Sequence, residues 1–126
     1  MRAASIRSLV VDCTPPARPF LADPRPEAQF HPAKMGKATL FRGAGLLVGL
    51  NAFEPGQAHA SHAHAGTDKL YVVLDGEGEF EVAGEQRRLG PGGQVFAAAG
   101  VAHGVRNVGS GRLLVLAVMG PPPGAG

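Results

Sequence analysis

Glycine recurs every few residues between Ala38 and Met119, and this spacing is the feature that most restricts how the chain can fold. This region contains no capped amphipathic stretch of about ten residues or more, and glycine destabilises helix interiors, so no long helix is expected in it. The glycines instead separate short apolar or alternating segments, which is the pattern of β-strands joined by tight turns. Six strands are predicted: Thr39–Arg42, Leu46–Phe53, Lys69–Leu74, Glu79–Val82, Gln94–Ala97 and Arg112–Met119. The chain is therefore expected to form an all-β sandwich or barrel.

The segments on either side of this region differ from it in composition. Residues 1–37 are polar and rich in proline, which interrupts every candidate helix, so we expect an irregular N-terminal arm with one short strand. Residues 38–119 are expected to form the barrel. Residues 120–126 contain three consecutive prolines and no large apolar side chain, so a flexible tail is expected there. With 126 residues, the chain is long enough for one hydrophobic core.

Charge, hydropathy and cysteine content argue against several classes of protein. The twelve Lys and Arg residues are scattered, with only Arg87 and Arg88 adjacent, so no nucleic-acid partner is expected. No apolar run approaches the ~20 residues that span a bilayer, and no signal peptide is recognised, so no membrane partner is expected. Cys13 is the only cysteine and has no internal disulfide partner, which favours a cytoplasmic location.

Three histidines are candidate metal ligands. His62 and His64 are two residues apart, and on a strand such a pair points both imidazoles to the same face. His103 is the only histidine in the second half of the chain, and it follows a predicted strand and a glycine turn that direct it to the same interior. His59 either extends the site to four histidines or is solvated, and solvation is the favoured interpretation.

Residues 56–107 resemble the two sequence motifs of the cupin superfamily, as found in small single-domain bacterial cupins. The first motif is glycine, five residues, His-x-His, three or four residues, glutamate, six residues and glycine. The second is glycine, five residues, Pro-x-Gly, two residues, histidine, three residues and asparagine, and Ala98 stands where that proline is usual. The matching residues are Gly56, His62, His64, Gly76, Gly92, Gly100, His103 and Asn107.

The resemblance implies a single jelly-roll β-barrel, the cupin double-stranded β-helix. It also implies a divalent transition metal held by the motif histidines and glutamate, and a homodimer formed by exchange of an N-terminal strand. The sequence does not choose between Zn, Fe, Ni, Cu and Mn. The expected partner is a small oxygen-bearing organic molecule that fills the open positions on the metal.

The position of the motif glutamate is where this sequence departs from the cupin pattern. Counting back from Gly76 gives Lys69, whereas the shorter spacing gives Asp68. A three-histidine site is the preferred interpretation, and Asp68 is the less favoured fourth ligand because strand alternation turns it away from the face of Lys69. A lysine ammonium beside a dication either loses its proton, turns toward solvent or pairs with a substrate carboxylate.

Further residues are candidates for the pocket around the metal. Lys69 and Tyr71 share strand parity and are candidate catalytic residues, as proton donors or as ligands of an anionic group. Three large apolar side chains are expected to wall the cavity, and one arginine to bind a carboxylate at its mouth. These substrate-pocket candidates are Phe80, Phe96, Met119 and Arg106.

Three functions stay open on the sequence. The first is a metal-dependent enzyme, a dioxygenase, isomerase or decarboxylase, in which the metal acts as a Lewis acid or an oxygen-binding centre. The second is a non-catalytic barrel that binds or senses a small ligand, since fold alone does not determine function. The third is a barrel that has lost its metal, with Lys69 filling the space.

Overall fold

The computed structural model describes residues 19–123, and these residues form a short 3₁₀ helix and nine β-strands. The 3₁₀ helix, Arg25–Glu27, precedes the first strand. Within residues 19–123 no helix is long and apolar enough to cross a bilayer. The strands are β1 (Gly36–Arg42), β2 (Leu47–Phe53), β3 (Ala58–His62), β4 (Asp68–Asp75), β5 (Gly78–Val82), β6 (Glu85–Leu89), β7 (Gln94–Ala97), β8 (His103–Asn107) and β9 (Leu113–Gly120).

The strands form two antiparallel sheets. One sheet has five strands in the order β1-β2-β9-β4-β7, and the other has four in the order β3-β8-β5-β6. Neighbouring strands in each sheet are mostly distant in sequence, so the chain crosses repeatedly from one sheet to the other, as in a jelly roll. The predicted all-β jelly-roll barrel is confirmed.

The six predicted strands are present, Gln94–Ala97 with the predicted ends and the other five with shifted ends, and three strands were missed. β6 is an exposed edge strand, and β3 contains no large apolar side chain, so neither shows a hydrophobic alternation. β8 contains a glycine, which weakens strand propensity, and it begins three residues after the turn at Gly100. Residues 1–18 of the predicted arm and residues 124–126 of the predicted tail lie outside the described residues.

Alternate residues of β9 contribute to two apolar clusters, one on each face of the five-stranded sheet. Leu113, Val115 and Ala117 belong to the cluster between the sheets, which also contains Phe53, Tyr71, Val73, Phe80 and Val105. Leu114 belongs to the cluster on the other face, together with Leu40, Leu50 and Ala52. Leu21 and Phe30, which precede β1, pack against this outer cluster and cover part of that face.

The space between the sheets is not filled at one end of the barrel. Gly49 of β2 lies opposite Ala117 of β9, and Thr39 of β1 is the register neighbour of Gly49 on its other side. Because Gly49 has no side chain and Ala117 has only a methyl group, the inner face of the sheet is hollow at this row. A cavity of about 300 Å³ lies there, lined on its other side by histidines from β3 and the segment that follows it.

Candidate metal centre

His62 and His103 are direct neighbours across the β3–β8 pair. Their ring centroids lie 4.4 Å apart. The Nδ1 atom of His62 lies 2.8 Å from the carbonyl oxygen of Ala60, and that of His103 lies 2.9 Å from the carbonyl oxygen of Val101. An Nδ1–H that donates to a carbonyl leaves the Nε2 lone pair free, and this arrangement is typical of metal-binding histidines.

The Nε2 atoms of His62 and His103 are buried and have no hydrogen-bond partner among the described residues. Leaving a buried polar atom unpaired costs about 1–3 kcal/mol, so such atoms call for a ligand. Together with His64, the two histidines form a group whose ligand atoms all lie within 4.8 Å of one another. Three imidazole nitrogens at this separation fit a divalent transition metal.

His64 reaches this group from a loop, which differs from the strand position expected for a His-x-His pair. β3 ends at His62, and His64 lies in the connection to β4. The backbone N–H of Gly100 donates to the carbonyl oxygen of His64 at 2.9 Å, which links this connection to the turn before β8. Gly100 has φ +81°, a conformation that favours glycine. A tertiary contact, rather than strand alternation, therefore brings His64 to the other two histidines.

The environment of the histidines favours their neutral form. Burial is the main cause that lowers the pKa of His64, and the neighbouring His62 and the charge of Lys69 lower it further. Burial also lowers the pKa of His103, although the hydrogen bond to Val101 opposes this. Because only neutral imidazole binds a metal, both effects of burial favour metal binding at neutral pH.

His59 is a cavity residue rather than a solvated one. A register shift between His59 and His62 in the β3–β8 pairing accompanies their close approach, with ring centroids 4.3 Å apart. His59 is partly buried, and its Nδ1 atom has no partner among the described residues. Burial, with smaller contributions from His62 and Lys37, lowers its pKa to about 4. His59 stands beside the three-histidine group and is not one of its members.

Asp68 and Lys69 point in opposite directions on β4, as strand alternation requires. The carboxylate of Asp68 accepts a hydrogen bond from the backbone N–H of Ala99 at 2.8 Å and is exposed. Asp68 therefore lies away from the histidines and is absent from the group that could hold a metal. Lys69 is only 4% exposed and lines the cavity.

Lys69 and Tyr71, the two candidate catalytic residues, lie near each other on the inner face. The Nζ atom of Lys69 is 4.8 Å from the centroid of the Tyr71 ring. Burial, and to a smaller extent Lys37, lower the pKa of Lys69 to about 8, so the ammonium form predominates at pH 7. Tyr71 is fully buried, its hydroxyl has no partner in the described part of the chain, and burial raises its pKa. At neutral pH both side chains are hydrogen-bond donors.

Of the four predicted substrate-pocket residues, only Met119 lines the cavity beside the histidines. Phe80 is buried in the core, with its ring 5.6 Å from that of Tyr71. Phe80 and Phe96 line a different depression of about 480 Å³ between β5, β6 and β7, and Phe96 is 58% exposed. Arg106 is exposed on β8 opposite Glu79, because its buried neighbours on that strand take the inward positions.

The cavity is also lined by residues that were not predicted from the sequence, among them Lys37, Arg42 and Asn51. The sequence did indicate that Asn51 faces inward, because it is a polar residue inside an apolar strand and shares its parity with Phe53. Lys37 and Arg42 belong to β1, whose inward positions depend on a register irregularity between Thr39 and Phe41. A shift of this kind changes which residues face inward, and sequence periodicity does not reveal it.

Residues 49–119, more than half of the chain, match the family model described as a cupin domain. The chain belongs to the cupin family. This confirms the resemblance found in the two sequence motifs. The cupin is 34% identical over 65 residues to the oxalate-binding protein of Thermotoga maritima, a match that covers 52% of this chain and 54% of that protein. It therefore spans about half the length of that relative.

Solved structures show the same fold. The protein TT1209 from Thermus thermophilus is 41% identical to this cupin and superposes with a TM-score of 0.78, covering 82% of this chain and 98% of the other. A predicted oxalate decarboxylase from Thermotoga maritima is 28% identical, with a TM-score of 0.64, covering 68% of this chain and 78% of the other.

Proposed function

We propose that this cupin binds a divalent transition metal through His62, His64 and His103, and that the metal and the adjoining cavity hold a small oxygen-bearing organic molecule. The observation that carries the proposal is the pair of buried Nε2 atoms, on His62 and His103, that have no partner in the described residues. In both histidines the Nδ1 atom already contacts a carbonyl, so the Nε2 atom is the one available to a metal.

The surroundings of the three histidines suit an oxygen-bearing ligand. A bound metal supplies a Lewis acid that polarises or neutralises a ligand oxygen. Lys69 and Asn51 present hydrogen-bond donors to the cavity, while Leu47 and Met119 contribute apolar side chains to its lining. Two similar proteins, an oxalate-binding protein and a predicted oxalate decarboxylase, are named for a small oxygen-rich acid, which agrees with this ligand class.

Two functions follow from ligand binding at such a site. The first is catalysis, in the classes of decarboxylation, isomerisation or dioxygenation. The second is binding or sensing without conversion, which is favoured by the absence of any Asp or Glu among the residues lining this cavity in the described chain. A catalytic proton transfer here would rely on the neutral imidazole of His59 or on Lys69.

Elemental analysis of the purified, untagged protein tests the metal site. We expect close to one equivalent of a transition metal in the wild type and a loss of most of it in His62→Ala and in His103→Ala. His31→Ala, which changes an exposed histidine, is the matched control and should retain the metal. A wild type that stays free of metal after incubation with Zn²⁺, Mn²⁺, Fe²⁺, Ni²⁺ or Cu²⁺ would overturn the proposal.

A second measurement separates catalysis from binding. The metal-loaded protein is incubated with ¹³C-labelled oxalate and other small acids, and the solution is followed by NMR. New signals that disappear in His103→Ala would support an enzyme. Saturable binding without new signals would support the binding function.

A further inference from the structure

Lys69 is a cation in the interior without a counter-ion among the described residues. It is 4% exposed, and none of the ion pairs within residues 19–123 includes it. Burial of a charge is costly unless the charge is paired. A lysine near a metal can lose its proton, turn toward solvent or pair with an anion. The burial of Lys69 is not compatible with an orientation toward solvent. An ammonium group buried in this way, with no carboxylate of the described residues beside it, would be stabilised by pairing with an anionic ligand.

Asn51 is a second buried donor that lacks an acceptor. It is 5% exposed, and its Nδ2 atom has no hydrogen-bond partner among the described residues. Asn51 is the register partner of Lys37, so a lysine of β1 lies next to it on the sheet. Asn51, Lys37 and Lys69 all line the cavity of about 300 Å³. We call these three residues the anion floor.

The charges around the cavity are all of one sign. Lys37, Lys69 and Arg42 line it, and no Asp or Glu of residues 19–123 does so. Three neutral imidazoles leave the charge of a bound dication uncompensated, and Lys69 adds another positive charge nearby. Like charges in a partly desolvated site repel one another strongly, so an anionic ligand has a large electrostatic advantage over a neutral one.

We infer that the ligand of this cavity is a small dicarboxylate, with one carboxylate at the three-histidine site and the other on the anion floor. The inference rests on the proposed metal site and adds the chemical class of its ligand. The donors of the floor match an acceptor-only group such as a carboxylate. A cavity of about 300 Å³ is at the lower end of the sizes of ligand pockets, which suits an acid of a few carbon atoms.

Calorimetric titration with matched probes tests the inference. Malonate and succinate are titrated into the Zn²⁺-loaded protein and compared with their monoamides, which have nearly the same size and one carboxylate fewer. We expect the dicarboxylates to bind at least about tenfold more tightly, which corresponds to about 1.4 kcal/mol. Lys69→Met should remove most of this preference and change the affinity for the monoamides less than about threefold.

Two further variants guard against misfolding as an explanation. Lys69→Arg keeps the charge and should retain the preference for dicarboxylates, at least in part. Lys34→Met removes an exposed lysine that does not line the cavity and should behave as the wild type. Equal affinity for dicarboxylates and monoamides in the wild type, or an unchanged preference in Lys69→Met, would overturn the inference.

The same titrations on chelator-treated protein separate this inference from the metal site. If the protein proves unable to bind metal but still prefers dicarboxylates in a Lys69-dependent way, the metal site fails and the anion floor is supported. If the protein binds metal through the three histidines but has no preference for dicarboxylates, the metal site is supported and the anion floor fails.

Discussion

His62 of β3 and His103 of β8 lie directly opposite each other, with ring centroids 4.4 Å apart and both Nε2 atoms buried without a partner in the described chain. These two buried nitrogens without partners destabilise the metal-free protein, because each has lost its hydrogen bonds to water. A metal ion bound to both removes this cost. The stability of the barrel is therefore expected to depend on metal.

The first prediction follows from this pair. Zn²⁺ at about one hundred times its dissociation constant should stabilise the chelator-treated wild type by about 2.7 kcal/mol, which raises the melting temperature by roughly 5–15 °C. The shift should be absent in His103→Ala and retained in His31→Ala, as measured by differential scanning calorimetry. An equal shift in all three proteins would show that Zn²⁺ acts elsewhere.

The second prediction concerns Lys69 and pH. Its pKa is about 8 in the folded protein and near the ordinary 10.5 in the unfolded chain, so between these values the unfolded chain binds more protons. Stability due to this group therefore rises with pH across the window from about 8 to 10.5 and is lowest below it. In metal-free protein, Lys69→Met should be more stable than the wild type at pH 7, and the difference should shrink at about pH 10.

Urea unfolding at the two pH values measures this difference, and comparison of variant with wild type cancels the other groups that titrate. Lys34→Met, at an exposed site, should show no such change with pH. A Lys69→Met protein less stable than the wild type at pH 7 would mean that the ammonium is stabilised in the fold rather than destabilised.

The third prediction compares two buried asparagines. The Nδ2 atom of Asn107 donates to the carbonyl oxygens of Phe53 and Gly111, at 3.1 and 2.9 Å, and its Oδ1 atom accepts from the N–H of Gly109 at 3.0 Å. Asn107→Ala leaves these buried groups unpaired and should cost about 2–4 kcal/mol in urea unfolding. Asn51→Ala, whose Nδ2 has no partner in the described chain, should cost under about 1 kcal/mol. Equal losses would contradict a ligand-binding role for Asn51.

The fourth prediction compares two glycines with the same backbone conformation. Gly76 has φ +84° and Gly84 has φ +87°. A Cβ at Gly76 would overlap the carbonyl oxygen of Arg112 and lie 2.9 Å from the Cα of Leu113, whereas a Cβ at Gly84 would meet nothing within 4 Å. Gly84→Ala should cost about 1–2 kcal/mol for its conformation alone, and Gly76→Ala at least ~3 kcal/mol, as measured by urea unfolding. Similar costs would show that the β9 backbone moves easily away from Gly76.

The sequence by itself was sufficient for the local features of this protein. The glycine turns and the alternation of apolar residues predicted most of the strands that carry the core, including β4, where parity predicted that Lys69 and Asp68 face opposite sides of the sheet. The two motifs located His62, His64 and His103 and the cupin family. These features depend on residues close in sequence, where turn chemistry and the period of two determine which side chains face inward.

Only the tertiary structure decided how distant strands meet. The pairing of His62 with His103 and the contact of Gly100 with His64 join residues that are far apart in sequence, and no local pattern encodes their register. The cavity lies where Gly49 and Ala117 are opposite each other on neighbouring strands, and Asn51 also lines it. Packing between strands, rather than the periodicity of any one of them, therefore determines which donors surround the histidines and which predicted residues, such as Phe96 and Arg106, lie outside.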